Sequence, residues 1–319
     1  MYDLVALGEL LIDFTYYGKS EHGGALFEQN PGGAPANVLA MAAGLGLSTA
    51  FIGKVGADMH GDFLRQVLIE RGIDTRGLIS AVDVFTTLAF VKLDGAQRSF
   101  SFARKPGADT TLSMTEVDFD IVKSSKIFHF GSLSLTDEPS RSATLKAVEV
   151  AKAAGAVISY DPNYRAGLWK NVEEAVHHMR SVTHLADIIK ISDEETELLT
   201  GKSDPQAAAQ VLLEQGATCI IVTLGADGAL AATRDGSIQK TPPKCVPKDT
   251  TGAGDVFLGS FLYRLLGSRK PIGKHDLNEI ESYVDFANAA ASLCVEKRGA
   301  MPSMPDISTI YTRLGGIHS

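Results

Sequence analysis

Short apolar runs alternate with amphipathic segments along most of this 319-residue chain, and this alternation constrains the fold more than any other feature. It is typical of a mostly parallel sheet that is covered by helices on both faces. The predicted strands cover residues 4–7, 49–55, 126–130, 156–160, 187–191 and 219–224. The predicted helices cover residues 34–45, 61–71, 140–154, 172–185 and 204–215. The sequence therefore predicts a layered α/β fold.

Two stretches interrupt this alternation. Residues 9–30 are strand-like and rich in Tyr, Phe and Gly, and residues 85–104 have the pattern of a hairpin that turns at Asp94-Gly95. These strands have no helices to cover them, so we expect a small second sheet that projects from the main body as a lid or as a dimer surface. The prediction is a single domain over residues 1–319 with these two stretches as insertions.

Composition and charge exclude several classes of protein. Hydrophobic residues make up 45% of the chain and charged residues 21%, which is typical of a globular protein. No apolar run approaches the ~20 residues of a membrane helix, and Asp3 and Glu9 disrupt any signal-peptide pattern, so we expect a cytoplasmic protein with no membrane partner. A net charge of -8 without a dense Lys/Arg tract argues against nucleic acid as a partner. The three cysteines, at positions 219, 245 and 294, form neither a disulfide nor a zinc pattern.

The first glycine cluster, Pro-Gly-Gly-Ala-Pro-Ala-Asn at residues 31–37, leads directly into a predicted helix. Gly32 and Gly33 would let a ligand approach the main chain closely, and the N–H groups of the first helical turn would be exposed to it. Asn37, one turn into the helix, could present its amide to the same ligand. A Gly-Gly pair before a helix is also compatible with a simple turn.

The second cluster is Lys-Asp-Thr-Thr-Gly-Ala-Gly-Asp at residues 248–255, again followed by an apolar helix. The backbone of Gly252, Ala253 and Gly254 supplies N–H donors at a helix N-terminus, which suits an anion. A carboxylate beside a phosphate site is repelled, unless it accepts the proton of a hydroxyl that attacks the phosphate. We therefore expect Asp255 to be a general base, with the ordinary aspartate pKa of about 4.

Together, the two motifs resemble the signature regions of the ribokinase-like, or pfkB-type, carbohydrate kinases. Residues 32–37 match the family pattern Gly-Gly-x-x-x-Asn, and residues 249–255 match Asp-Thr-x-Gly-Ala-Gly-Asp. The likeness covers nearly the whole chain. It implies a ribokinase-like three-layer α/β/α fold, a small β-sheet lid over the sugar, and ATP-dependent phosphorylation of a sugar with Mg²⁺.

Three further segments, at residues 102–109, 161–169 and 297–305, look like those of the fructokinase branch. The nearest alternative in the family is a 2-keto-3-deoxygluconate kinase, which usually has Tyr residues ahead of the lid arginine. Phe102 and Ala103 stand there in this chain, which favours fructose as the substrate and fructose 6-phosphate as the product.

The resemblance also implies roles for individual side chains. The residues implied to bind sugar hydroxyls are Asp13, Gly32, Gly33 and Asn37. A carboxylate and an amide can pair with the mixed donors and acceptors of a polyol. Arg104 would reach the sugar from the lid, and Arg165 would face the phosphates. The residues implied to line the nucleotide site are Ser192, Thr223, Gly225 and Asn288.

Two cation sites follow from the same resemblance. Glu195 would hold Mg²⁺ through water, and Ser192 replaces the Asn that the family usually has, so we expect weaker magnesium handling. A monovalent cation such as K⁺ would lie beside the anion site, because oxygen ligands suit a hard cation. The residues implied to surround it are Asp249, Thr251, Cys294, Lys297, Gly299 and Ser303. Lid sheets of this family often pair, so a homodimer through the lid is a further expectation.

Other functions lack their signatures. Gly-Lys-Ser occurs at residues 18–20 and 201–203, but Asp13 and Thr196 stand where a P-loop needs its first glycine. No dinucleotide fingerprint follows the first strand, and no Gly-x-Ser-x-Gly elbow is present. A kinase-like protein that binds sugar or nucleotide without turnover remains an alternative. Such a protein would be expected to lose the base or the anion site, and both are present here.

Overall fold

A computed structural model describes residues 1–94, 97–268, 270–271 and 273–315. Within these residues, strands form a nine-stranded sheet in the order β13-β12-β11-β10-β9-β8-β1-β4-β5 and a four-stranded sheet in the order β3-β2-β6-β7. The strands are β1 (Tyr2–Leu7), β2 (Leu11–Lys19), β3 (Ala25–Gly32), β4 (Thr49–Gly56), β5 (Asp74–Ala81), β6 (Leu88–Asp94), β7 (Gln97–Ala103), β8 (Ser125–Gly131), β9 (Val157–Asp161), β10 (Ile188–Ser192), β11 (Cys219–Thr223), β12 (Ala229–Thr233) and β13 (Gly236–Lys240).

The large sheet is parallel except toward one edge, where β12 pairs antiparallel with both β11 and β13. Its central strands are buried on both faces, which explains why they read as nearly continuous apolar runs. The helices are α1 (Ala34–Gly44), α2 (Met59–Glu70), α3 (Phe119–Lys123), α4 (Ser140–Ala153), α5 (Val172–Ser181), α6 (Asp193–Thr200), α7 (Pro205–Glu214), α8 (Ala253–Gly267), α9 (Leu277–Cys294) and α10 (Ile307–Arg313).

Helices cover both faces of the large sheet. Side chains from α3, α4, α5 and α7 share one apolar core with one face, and side chains from α1, α2, α8 and α9 share another core with the opposite face. The predicted three-layer fold is confirmed. Among the described helices, none has both the length and the apolar character that crossing a membrane requires.

The predicted strands and helices all occur, with ends that shift by one to three residues in most cases. The predicted helix over residues 172–185 ends earlier, at Ser181, and a short 3₁₀ turn follows it. Three strands were not predicted, namely β5, β12 and β13, because their sequences carry charged or small residues instead of apolar runs. The small sheet consists of strands from the two interrupting stretches, and the β6–β7 hairpin is confirmed. Gly95, in the predicted turn, lies outside the described residues.

Helices α1 and α8 cross closely because α8 carries a glycine at the contact. A Cβ atom at Gly259 would lie 2.7 Å from the carbonyl oxygen of Val38 and 2.9 Å from the Cβ of Met41. Both helices begin at the carboxyl ends of the central strands. The Gly259 contact therefore sets how closely the two helix N-termini approach each other.

We predict that Gly259→Ala lowers the free energy of unfolding by about 1–3 kcal/mol, because the added methyl group overpacks a helix contact. Gly267→Ala, at the other end of α8, is the matched control, since nothing lies within 4 Å of its Cβ position. That change should leave stability unchanged or raise it by about 0.4–1 kcal/mol. Urea denaturation of the two variants measures the difference, and equal stabilities would contradict the close contact.

Candidate functional site

The N-termini of α1 and α8 meet at a hydrogen bond between two buried side chains. Asn37 Nδ2 donates to Asp255 Oδ2 at 2.8 Å, although the two residues are 218 positions apart in the chain. The other amide atom, Asn37 Oδ1, is shielded from solvent and has no hydrogen-bond partner among the described residues. A buried acceptor without a donor is costly, so this oxygen is ready to accept a hydrogen bond from a ligand hydroxyl.

The surroundings of Asp255 make it a stronger base than predicted. Burial, together with the nearby charge of Asp161, raises the pKa of Asp255 to about 6, while Asn37, Lys190 and Arg165 act in the opposite direction. The expectation of an ordinary pKa near 4 was wrong, because the sequence alone does not reveal that this carboxyl group is desolvated. The group is mostly ionised at neutral pH and can accept a proton.

Gly252 and Gly254 allow the chain to turn into α8 beside Asp255. Gly252 has a φ of +77°, and a Cβ there would lie 2.5 Å from the Cβ of Ala300. The first N–H groups of a helix have no intrahelical acceptors, so this turn offers donors for an anion. Residues 252–254 were predicted to contribute these N–H groups. The N–H of Ala253 makes a long hydrogen bond of 3.3 Å to the carbonyl of Thr250.

A buried ion pair that the sequence analysis missed lies directly beside this turn. Lys190 Nζ on β10 lies 2.7 Å from Asp161 Oδ2 on β9, and both side chains are almost fully buried. A Cβ at Gly254 would lie 3.1 Å from the same ammonium group. Asp161 raises the pKa of Lys190 against the opposing effect of burial, so the lysine is charged. A lysine within an apolar strand is the sequence signal that could have identified it.

Asp13, on β2, lies opposite Asn30 on β3 and next to Gly32. Burial raises the pKa of Asp13 to about 7, Arg165 acts to lower it, and Asp255 and Asp249 act to raise it. Asp13 therefore shares its electrostatic environment with Asp255. A side chain at Gly32 would overlap the Asp13 carboxylate, so only glycine leaves this carboxylate accessible at that position.

Gly33 begins α1 with a φ of +111°, and any side chain there would overlap the carbonyl of Glu9. The Glu9 carboxylate accepts the N–H of Ala34 at 2.9 Å, and burial raises the pKa of Glu9 to about 7. Arg165 is exposed, and its guanidinium donates to the carbonyl of Tyr164 at 2.9 Å. The positive charge of Arg165 acts to lower the pKa values of both Asp13 and Asp255.

Arg104, predicted to reach the sugar from the small sheet, is buried at the base of that sheet. Its Nη2 lies 2.7 Å from Asp109 Oδ2 and donates to the carbonyl of Leu133 at 2.7 Å. Its Nη1 donates to Thr136 Oγ1 at 2.9 Å. These contacts anchor the end of β7 to the main body, and a sugar contact by Arg104 remains a prediction.

The four residues predicted for the nucleotide lie near the carboxyl ends of β10 and β11 and on α9. Thr223 ends β11 and donates to the carbonyl of Ile191 at 3.3 Å, and Gly225 follows with a φ of +56°. Asn288 donates to the carbonyl of Lys240 at 2.9 Å. This bond ties α9 to β13, so Asn288 has a structural partner in addition to its predicted role.

Ser192 and Glu195 form a capping box at the start of α6. Glu195 Oε2 accepts from the N–H of Ser192 at 2.8 Å, and Glu195 Oε1 accepts from the N–H of Tyr164 at 2.6 Å. A carboxylate has about four acceptor positions, so room remains for a water on a magnesium ion. No group of three His, Cys, Asp or Glu side chains in the described ranges could hold a metal by itself. The magnesium role of Glu195 remains a prediction.

Most of the residues predicted around a monovalent cation come together beside the start of α8. Asp249 Oδ1 accepts from the N–H of Thr251 at 3.0 Å, and Asp249 Oδ2 accepts from the N–H of Gly299 at 2.9 Å. Cys294 Sγ lies 2.9 Å from Ser303 Oγ. The side chain of Lys297 points to solvent, which leaves only its main chain available to a cation. The oxygen-rich part of this set suits a hard cation.

Comparison with known proteins identifies the family to which this chain belongs. The chain matches the pfkB family of carbohydrate kinases over residues 1–307. It is 41% identical to fructokinase-1 of Oryza sativa subsp. japonica over 95% of this chain and 94% of that protein. It also resembles the crystal structure of fructokinase from Xylella fastidiosa with bound ATP, with a TM-score of 0.91, 33% identity and coverage of 99% of both chains.

A further solved structure is a double mutant of fructokinase from Vibrio cholerae O395 in fructose-, ADP- and potassium-bound form. Its TM-score is 0.87 at 32% identity, with coverage of 98% of both chains. The sequence motifs, the fold and the relatives agree over almost the entire length. This chain belongs to the pfkB family of carbohydrate kinases.

Proposed function

We propose that this protein is an ATP-dependent fructokinase, a phosphotransferase that converts D-fructose to fructose 6-phosphate. The observation that carries the proposal is the position of Asp255, a buried carboxylate between the helix N-terminus at residues 252–254 and the polar pocket of Asn37 and Asp13. The helix N-terminus on one side of Asp255 suits a phosphoryl group, and the polar pocket on the other side suits a polyol. The similarity to fructokinases of plants and bacteria supports fructose as the sugar.

In this proposal, the sugar is held by the polar groups around the start of α1. Asn37 Oδ1, which has no partner among the described residues, accepts a sugar hydroxyl, and the Asp13 carboxylate accepts further hydroxyls beside the backbone of Gly32 and Gly33. Asp255 accepts the proton of the primary hydroxyl as the hydroxyl oxygen attacks the γ-phosphorus of ATP, and the bond from that phosphorus to the oxygen bridging to the β-phosphate breaks and releases ADP. Asn37 orients Asp255 for this step through their 2.8 Å hydrogen bond.

The transferring phosphoryl group is stabilised by positive and partially positive groups on the other side of Asp255. The N–H groups of residues 252–254 donate to its oxygens at the N-terminus of α8, where the helix dipole adds to the effect. The charge of Lys190 lies directly beside Gly254, and Arg165 contributes a second cation near both substrates. Thr223, Gly225 and Asn288 line the nucleotide on the adjacent strand ends.

Two cations complete the proposal. Magnesium, when bound, neutralises charge on the β- and γ-phosphates, and Glu195 is the residue that would meet its water shell. A monovalent cation would be held by the residues around Asp249 beside the start of α8. The Vibrio fructokinase structure with bound potassium supports the choice of a monovalent cation. Because Gly299 donates to Asp249, a cation there would act on the same turn that orients residues 252–254.

The small sheet is proposed to be a lid that excludes water, and its outer aromatic face is proposed to pair with a second copy of the chain. The rings of Phe14 and Phe90 stack at 5.3 Å, and Phe27 meets Phe90 edge to face at 5.7 Å. Phe27 and Phe90 remain more than a third exposed. An exposed aromatic cluster on a sheet face is typical of a protein interface. A cytoplasmic location belongs to the same proposal, and the cysteines are unpaired, as expected in a reducing compartment.

We predict that Phe90→Ser converts a dimer to a monomer, because the cluster loses its central ring. Sedimentation velocity of the wild-type protein and the variant measures this. Leu145→Ser is the matched control, since Leu145 is an equally exposed apolar residue on α4, away from the small sheet. A wild-type protein that sediments as a monomer at micromolar concentration would contradict the dimer.

The substrate assignment predicts that kcat/KM for fructose exceeds that for 2-keto-3-deoxygluconate by at least about 100-fold, because a site built for several hydroxyls leaves polar groups unpaired with the keto-deoxy acid. A coupled assay for ADP release with both compounds measures the ratio. Asp255→Asn serves as the control, and its kcat should fall by about 10²–10⁴-fold. A reversed ratio would move the protein to the keto-deoxy-acid branch, and near-normal turnover by the Asn variant would remove Asp255 as the base.

The raised pKa of Asp255 predicts the pH dependence of the reaction. Since the base must be ionised, kcat at saturating fructose should fall as the pH drops through about 6, the pKa of Asp255, whereas kcat/KM also reports the ionisation of Asp13. Asn37 lowers that pKa by donating to the carboxylate, so Asn37→Ala should move the acid limb to higher pH. Asn288→Ala, another buried helical asparagine, should leave the midpoint unchanged. An acid limb near pH 4, or one that Asn37→Ala does not move, would contradict the assignment.

A further inference from the structure

The loop at residues 298–300, which follows α9, contacts both the small sheet and the turn at the start of α8. Arg298 extends to β2, Gly299 donates its N–H to Asp249 Oδ2, and Ala300 packs against Gly252. Three consecutive residues therefore join the strand that carries Asp13 to the turn that precedes Asp255. Within the proposed function, they join the sugar pocket to the phosphoryl site.

Arg298 makes its contacts at an irregularity of β2. The pairing of β2 with β3 matches Tyr16 with Phe27 and then Gly18 with Leu26, so Tyr17 is an extra, bulged residue. Arg298 Nη2 donates to the carbonyl of Tyr16 at 2.9 Å. Its guanidinium carbon also lies 5.5 Å from the centre of the Tyr17 ring, within the range of a cation–π contact. A bulge re-aims side chains, and here the bulged tyrosine faces the arginine.

A third group at this contact is only partly satisfied. Glu28 Oε2 on β3 is shielded from solvent and receives no hydrogen bond from the described residues, while Arg298 Nε lies 3.7 Å away. That distance exceeds a hydrogen bond, and a shift of less than 1 Å would complete one. Both side chains are 42% exposed, so a closer approach of the small sheet toward the loop would be stabilised modestly by this pair.

Gly299, the next residue of the loop, also lies close to the strands of the proposed sugar pocket. Gly299 has a φ of +79°, and a Cβ there would lie 3.1 Å from Asn30 Oδ1. Asn30 is the cross-strand partner of Asp13. Gly299 therefore lies between Asn30 and Asp249, so β3 and the Asp249 turn share this residue as a neighbour.

We propose that Arg298 is a positioning residue that holds β2 and β3 against the loop at residues 298–300, so that closure of the small sheet over the sugar sets the geometry of the phosphoryl site. Arg298 touches neither substrate in this proposal. It acts through the Tyr16 carbonyl, the Tyr17 ring and Glu28. The proposal rests on the proposed function for its kinetic part, whereas the attachment of the sheet to the loop is independent of the substrate.

The first measurement is hydrogen exchange of the free protein. Arg298→Ala should speed exchange in peptides that cover residues 11–32, while peptides from β8 and β9 remain unchanged. Arg76→Ala is the matched control, because Arg76 is also an exposed arginine paired with a carboxylate, Asp74, at 2.9 Å, but lies at the far edge of the large sheet. Unchanged exchange over residues 11–32 would overturn the proposal even if the enzyme does not use fructose.

The second measurement is kinetic. Arg298→Ala should raise the KM for fructose by about three- to tenfold, the effect expected for losing a partly exposed hydrogen bond and cation–π contact, and should leave the KM for ATP within about twofold. Arg298→Lys should give an intermediate KM for fructose, because lysine keeps the positive charge but lacks the planar guanidinium with its several N–H donors. Equal changes in both KM values would mean a general structural role and would overturn the proposal. A wild-type protein that does not phosphorylate fructose would refute the proposed function and leave the exchange measurement to decide the attachment.

Discussion

The site depends on keeping one carboxylate both buried and ionised. Asp255 lies at the N-terminus of α8, where burial alone would favour the neutral acid. Asn37 donates to it, Lys190 and Arg165 supply positive charge, and the helix dipole acts in the same direction. The hydrogen bond with Asn37 requires α1 and α8 to cross closely, and the glycine at position 259 permits that crossing. The ionisation of Asp255 therefore depends on how closely the two helices pack.

Three carboxyl groups near the sugar pocket have raised pKa values, namely those of Glu9, Asp13 and Asp255. A carboxyl group whose pKa is higher in the folded chain than in the unfolded chain binds its proton more tightly when folded. Its burial therefore opposes folding in full above the folded pKa, and this opposition shrinks as the pH falls from the folded pKa to the lower pKa of the unfolded chain. Near neutral pH, the empty pocket carries unfavourable charge. Hydroxyl donors of a sugar would relieve it, which links the stability of the pocket to the binding of a polyol.

The sequence predicted the layers and the two glycine-rich turns because both leave local signals. Apolar runs predict the central strands, and Gly-Gly or Gly-Ala-Gly before an apolar helix predicts an exposed helix N-terminus. Strands β12 and β13 were missed because β12 consists mostly of alanine, which favours helices over strands, and the edge strand β13 has no apolar run. The partners of Arg104 could not be predicted either, since its acceptors on Thr136 and Leu133 are about thirty residues away in the chain. The ion pair of Lys190 and Asp161 could not be predicted from the sequence for the same reason. Only the register of β9 and β10 makes the two residues neighbours.

The raised pKa of Asp255 has a chemical consequence as well as an energetic cost. A base with a pKa of about 6 accepts a proton from a hydroxyl more readily than one of about 4, and it remains mostly ionised at neutral pH. In the proposed reaction, the carboxylate loses its charge when it accepts the proton, as the phosphoryl group is transferred to the sugar oxygen beside it. The repulsion between Asp255 and the phosphoryl oxygens therefore falls as the transfer proceeds. The burial that makes the free site less stable thus favours the transition state over the ground state, which is the condition for catalysis.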